Sequence, residues 1–241
     1  MKNHVSPPSL SATIADAIRS DIVDGRLLVG DRLPSETELA DQHGVSRATV
    51  REALKRLAAQ SLIRTERGAF GGAFVNHLSY EEARAQQVTT STLLLGMNAI
   101  GFQVACEARY ALERSCTSLA AERRTDALLD AMRKEIEIQS APGLTDEAFC
   151  ASDVAFHRAL VDCAGNEVLS YHLAGSVEAM QPLMNMITFT ARSRAEIIDL
   201  HRSIVADLEK RDAVSVDRAL AKLEAYTITL GQSVLKARAT R

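Results

Sequence analysis

Between Leu33 and Leu57 the chain reads LPSETELADQHGVSRATVREALKRL, and no other stretch restricts the fold so closely. Two short helices joined by a sharp turn account for every residue type in it. Ser35, followed three residues on by Glu38, forms a capping box that opens the first helix. That helix reaches about Gln42 and stops at Gly44, which accepts the left-handed conformation of a tight turn. Ser46 caps the second helix, in which Val50, Ala53, Leu54 and Leu57 share an apolar side at helical spacing. Arg47, Arg51 and Lys55 stand four apart as a basic stripe flanking that side. A helix with an apolar back, a cationic flank and a small polar start (Ser46, Ala48, Thr49) suits a DNA major groove. The alternative is an amphipathic helical hairpin with a solvated basic face.

The residues that follow favour DNA. Leu62 and Ile63 begin a short strand, Arg67 to Gly72 (RGAFGG) form a turn, and Ala73 to Val75 return as a second strand. The expectation is a winged helix-turn-helix of three helices and a β-hairpin wing.

The string LPSETELA…GVSRATVREALKRLAAQSLI…GGAFV resembles the DNA-binding domain of the GntR family of bacterial transcription regulators, over residues 9–77. The resemblance implies that Arg47 and Arg51 contact an operator, with Ser46 and Thr49 beside them and Gly71 and Gly72 of the wing nearby. Ser35 and Lys55 complete the expected DNA contacts. Many members carry an arginine between the two glutamates of the first helix, where this chain has Thr37, so one family contact is missing.

The net charge of −3 argues against a nucleic-acid partner until its distribution is read. From Ser46 to Arg67 six cations face only Glu52 and Glu66, whereas from Ser79 onward 18 cations face 22 acids. A basic reader joined to an acidic body is the asymmetry of a site-specific DNA binder. Cys106, Cys116, Cys150 and Cys163 show no CxxC pairing and read as buried, reduced thiols. No signal-peptide pattern opens the chain and no apolar run is long enough to span a bilayer, so a soluble cytoplasmic protein is expected.

Residues 1–8 read as a flexible tail. Ser9 or Ser11 starts a helix with Ile14, Ile18 and Ile22 inward and Gly25 as its stop. The polar junction Asn76 to Ser79 marks the domain boundary, and residues 79–238 read as helical throughout. Expected helices run from Ser79 to about Leu95, Phe102 to Arg123, Thr125 to Gln139 and Thr145 to about Ala164. Another begins at Glu167 and is kinked or divided at Pro182. The last two span Ser193 to Arg211 and Ala213 to Lys236. This is an all-α bundle of six or seven helices, mainly α overall, large enough for a small-molecule pocket and a dimer surface.

Four polar residues stand out in the bundle. Asp153 and His157, four apart on a mostly apolar helix, project from one face. They are either a carboxylate orienting a buried imidazole or two ligands of a divalent ion awaiting a third. Arg109, on another apolar helix, is either an anion contact or the ion-pair partner of Glu113. The remaining histidines, His4, His43, His77 and His172, read as surface or capping residues.

The body is similar to the FCD ligand domain of the FadR subfamily of these regulators. The similarity rests on Glu107-x-Arg109-x-x-Leu112-Glu113, Asp153-x-x-x-His157, Ala164-Gly165-Asn166 and His201 in LHRSIVADL. It implies that Asp153, His157 and His201 ligate a zinc- or nickel-type ion. It further implies that Arg109, Asn166, His157 and His201 meet a small carboxylate effector. The fourth family ligand, a histidine, is replaced by Leu223, with Glu224 and Tyr226 nearby on other helical faces. Either three protein groups hold the ion or the pocket works without one. The expected function is a homodimeric, operator-binding repressor controlled by an anionic metabolite, not an enzyme. The alternative is a metal-dependent hydrolase using Asp153, His157 and His201.

Overall fold

The computed structural model describes residues 9–68, 71–97, 100–188 and 191–240. The expected tail, His4 and the wing-tip residues Ala69 and Phe70 lie outside the described residues. The chain divides into two compact units, Met1–Ser79 and Tyr80–Arg241.

In the first unit α1 (Leu10–Val23), α2 (Glu36–His43) and α3 (Arg47–Ala59) precede a two-stranded antiparallel hairpin, β1 (Ile63–Glu66) and β2 (Gly72–Val75). Side-chain caps set the helix starts. Ser9 accepts from the Ala12 amide, Ser46 from the Thr49 amide, and Ser35 with Glu38 makes the full reciprocal box. Gly44, at φ +62°, ends α2. Ile14, Ile18, Leu39, Val50, Leu57 and Val75 form the shared core, with Ile22 and Leu54 at its edge. Burying side chains of this kind stabilises by about 1.5–3 kcal/mol each, which fixes α3 by its apolar back and leaves its basic flank in solvent.

The second unit is all helix among the described residues: α4 (Tyr80–Gly96), α5 (Phe102–Ser115), α6 (Thr117–Arg123), α7 (Asp126–Gln139), α8 (Asp146–Asp162), α9 (Glu167–Val177), α10 (Gln181–Thr188), α11 (Arg194–Glu209) and α12 (Ala213–Ala239). It is more finely divided than the expected six or seven helices. The helix expected over Phe102 to Arg123 is interrupted at Cys116. There the Ser115 hydroxyl donates to the Leu112 carbonyl and the Thr117 hydroxyl to the Arg114 carbonyl. Hydroxyls that bond back to carbonyls compete with the helical ladder and bend it. The break near Pro182 falls earlier, in a 3-10 turn over Glu178–Met180, so proline sits in the first turn of α10, where its missing N–H costs nothing.

The core of this unit gathers Tyr110, Met132, Phe149, Phe156, Ile204 and Leu220 from five helices. α5 and α12 approach so closely at Gly231 that a Cβ there would stand 2.0 Å from the Phe102 ring. Gly231→Ala is therefore expected to destabilise the unit by about 1–3 kcal/mol, the usual range for overpacking. Thermal denaturation checks this, and an unchanged midpoint would mean that the two helices separate at no cost.

Candidate functional site

In the first unit the residues expected to meet DNA come together on one exposed surface. α3 presents Arg47, Arg51 and Lys55, while the hydroxyls of Ser46 and Thr49 lie 2.9 Å apart at its N-terminus. A groove between α3 and the wing is lined by Ser35, Glu36, Arg51, Lys55, Gly71 and Gly72, among others. Two side chains that the sequence reading passed over organise it. Glu36 holds Arg51 in a two-point fork, accepting from Nε at 3.2 Å and Nη2 at 2.9 Å. Arg32 donates to the Gly71 carbonyl at 2.6 Å and lies over Phe74, tying the wing to the strand-like residue that precedes α2. Gly71 has a packing reason as well: a Cβ there would stand 2.4 Å from the Glu66 carbonyl oxygen. Thr37 is exposed.

In the second unit Asp153 and His157 of α8 meet His201 of α11 in the interior. One donor atom from each lies within 4.8 Å of the others. His201 Nε2 is 3.5 Å and His157 Nε2 4.0 Å from Asp153 Oδ1. Both imidazoles are fully buried and Asp153 is 4% exposed. Each ring is held from behind. His157 Nδ1 lies 2.7 Å from Glu113 Oε2, and His201 Nδ1 lies 2.9 Å from Gln139 Oε1. Phe156 stacks on His201 at 3.8 Å, locking its plane. Glu113 is a carboxylate: although burial favours its neutral form, His157 and Arg109 prevail and hold it at about 2. It accepts only, so His157 Nδ1 carries a proton, and the Nε2 edge of the ring faces Asp153.

Burial pushes His201 down to about 3, with the pull of Asp153 too weak to reverse it, so its ring is neutral. Burial also works against the Asp153 charge, yet the neighbouring His157, His201, Arg109 and Arg192 leave its carboxyl below the ordinary range. Among the described residues neither Nε2 has a hydrogen-bond partner.

These residues fit a divalent ion. The donor set of one carboxylate oxygen and two imidazole nitrogens is of the zinc or nickel type. The separations of 3.5 and 4.0 Å between Asp153 Oδ1 and the two Nε2 atoms are within the reach of paired ligand bonds of about 2.0–2.2 Å. Two buried, partnerless nitrogens aimed at one carboxylate are otherwise a cost of about 1–3 kcal/mol each.

Arg109, also fully buried, sits beside this cluster. Its Nε donates to Glu113 Oε1 at 2.7 Å, its Nη1 lies 3.1 Å from the Met184 sulfur, and its Nη2 has no hydrogen-bond partner among the described residues. Of the two readings of Arg109, the structure shows the ion pair with Glu113.

The family profile described as "Bacterial regulatory proteins, gntR family" matches residues 10–75, and the FCD domain profile matches residues 105–224. Over 181 residues the chain is 34% identical to a regulatory protein assigned to the L-lactate dehydrogenase operon of Escherichia coli K12, covering 73% of this chain and 67% of that one. The chain belongs to the GntR family. It is 33% identical to the HTH-type transcriptional regulator LutR of Bacillus subtilis, covering 66% of this chain and 69% of the relative. The HTH-type transcriptional repressor NanR of E. coli is 29% identical, covering 79% and 72% respectively. Among solved structures, a Streptococcus agalactiae GntR protein matches with a TM-score of 0.55 at 23% identity, covering 91% of this chain and 99% of that one. A GntR-family regulator from Pseudomonas syringae pv. tomato matches at 0.50 and 24%, covering 98% and 90%. These two share the fold. The chain is a transcription regulator of the GntR type with an FCD domain; its relatives are regulators, not enzymes, and lend no support to a hydrolase. Among the described residues no helix is long and apolar enough to cross a membrane.

Other expected site residues lie elsewhere. The Asn166 side-chain oxygen accepts from the Val168 and Leu169 amides at the start of α9, lining a surface hollow with Tyr80 and Asp162. The structure does not bring it to the buried cluster. Leu223 is buried, while Glu224 pairs with Arg114 and the Tyr226 hydroxyl accepts from the Ser193 amide, so neither replaces the missing ligand. The four cysteines are free and buried, as expected of structural thiols, and burial pushes Cys106 up to about 12. His43, His77 and His172 are exposed. Gln139 and the bridging role of Glu113 had no signal in spacing, because both reach the histidines from other helices.

Proposed function

We propose that this regulator binds operator DNA through α3 and the wing, and that a small carboxylate bound in its helical unit controls that binding. The observation that carries the proposal is the buried cluster of Asp153, His157 and His201 beside the unpartnered Nη2 of Arg109. A bound divalent ion would supply a Lewis-acidic seat for carboxylate oxygens. Asp153, His157 and His201 would hold it, and Arg109 would orient the anion through its remaining donor. A relative assigned to an L-lactate dehydrogenase operon makes short 2-hydroxycarboxylates the first effectors to test. The protein acts in the cytoplasm as a homodimer, its two recognition helices reading half-sites about one helical turn apart. The acid weakens the operator complex and so relieves repression.

Within α3, Ser46, Arg47, Thr49 and Arg51 face base edges, while Ser35, Lys55, Gly71 and Gly72 contact the backbone. Arg51→Ala is expected to lower operator affinity by about 1–3 kcal/mol and to relax specificity at one position. Fluorescence anisotropy on enriched operator fragments measures both. Equal losses on operator and bulk DNA would demote Arg51 to a phosphate contact.

The whole reading is tested by elemental analysis of the purified protein, followed by anisotropy with L-lactate and related acids before and after chelation. Bound zinc or nickel, together with acid-dependent release of the operator, is the expected result. Operator binding indifferent to metal and to every acid would overturn it.

A further inference from the structure

Glu113 touches both halves of the buried site at once. A carboxylate that serves only as counter-ion to an arginine commonly meets it as a two-point fork, one oxygen to each of two N–H groups. Here the fork is split. Oε1 takes the Arg109 Nε–H at 2.7 Å and Oε2 takes the His157 Nδ1–H at 2.7 Å, with all three side chains fully buried.

We propose that Glu113 is the positioning residue that couples ion binding to anion binding, by fixing the ring of His157 with one oxygen and the guanidinium of Arg109 with the other. The proposal rests on the reading of the site given above. On the histidine side, an acceptor at Nδ1 selects the tautomer whose Nε2 lone pair faces Asp153 and His201. On the arginine side, Nε and Nη1 are both engaged, so the plane of the group is set, and Nη2 is the nitrogen without a partner among the described residues. A shift of Glu113 that improves one contact lengthens the other, because one rigid carboxylate serves both. Gln139 plays the one-sided version of this part, holding only His201.

The test separates positioning from simple charge compensation. In the full chain carrying Arg109→Met, Glu113→Gln is compared with Glu113→Leu. Both variants are neutral and of similar size, but only glutamine keeps an acceptor for His157. Zinc affinity is read by competition with a chromophoric chelator, and the His157 tautomer by 15N NMR of the metal-free protein. The leucine variant is expected to bind zinc about 10–100-fold more weakly than the glutamine variant. It should also populate Nε2–H at His157, whereas glutamine keeps Nδ1–H. Equal zinc affinities and equal tautomers would overturn the proposal and leave Glu113 a counter-ion. Should the unsubstituted chain bind no zinc, the ion reading fails, and the tautomer comparison alone decides for or against positioning.

Discussion

Arg109→Met is expected to cost the helical unit about 3–5 kcal/mol, because it leaves the fully buried Glu113 carboxylate without its cationic partner. For a domain of this size that corresponds to a fall in the melting midpoint on the order of 10 °C. The loss should be unequal in its parts. Most of it is the penalty for an uncompensated charge, so adding Glu113→Gln to Arg109→Met should recover the larger share of stability. Recovery separates a buried-charge penalty from lost packing, since methionine replaces most of the arginine stem. Operator binding without effector should stay within error of the unsubstituted chain, while the response to acid disappears. Calorimetry and operator titrations on the same samples read both. A drop below about 1 kcal/mol, or an intact acid response, would show that Arg109 does not have the place assigned to it.

Leu223→His is expected to tighten zinc binding about a hundredfold, ~3 kcal/mol at about 1.4 kcal/mol per tenfold. Leu223 lies in the core on α12, where its carbonyl accepts the Thr227 hydroxyl at 2.8 Å, and that hydroxyl lies 3.0 Å from the Tyr110 hydroxyl on α5. The family pattern places an imidazole at this position. The same change buries a polar ring in the metal-free protein, at a cost of about 1–3 kcal/mol. The two effects have opposite signs. The variant should therefore melt below the unsubstituted chain in chelator and close that gap, or pass it, in excess zinc. Unchanged zinc affinity would show that position 223 does not face the ion.

The helix-turn-helix was legible because its determinants are local. Ser35 with Glu38, Gly44 and Ser46 each act within one turn of themselves, and all three form the caps and stop that they suggest. The break at Cys116 was not legible, because apolar spacing runs through it and the hydroxyls of Ser115 and Thr117 do the bending. At the buried site the pairing of Asp153 with His157 followed from helical spacing. The arrival of His201 came from family resemblance, since its neighbours on α11 give no hint of which helix it meets. Spacing paired Glu113 with Arg109, but its contact with His157 and that of Gln139 with His201 were beyond reach of either route: those partners lie 44 and 62 residues away along the chain. Asn166 shows the reverse case, a residue flagged by its motif whose side chain is occupied in capping a helix.

The fork between Glu36 and Arg51 bears on how the protein senses ionic strength. A cation that neutralises a phosphate expels a condensed counterion, and each such event steepens the salt dependence by about 0.9 in log–log slope. Arg51, Lys55 and Arg64 are already neutralised by Glu36, Glu52 and Glu66. When such a cation turns to DNA, the carboxylate it leaves recruits a counterion of its own, and the net release is close to nothing. The density of positive charge on this surface therefore overstates its polyelectrolyte character. Affinity drawn from oriented hydrogen bonds survives where counterion entropy fades, so discrimination between operator and bulk DNA should widen, not narrow, as salt rises.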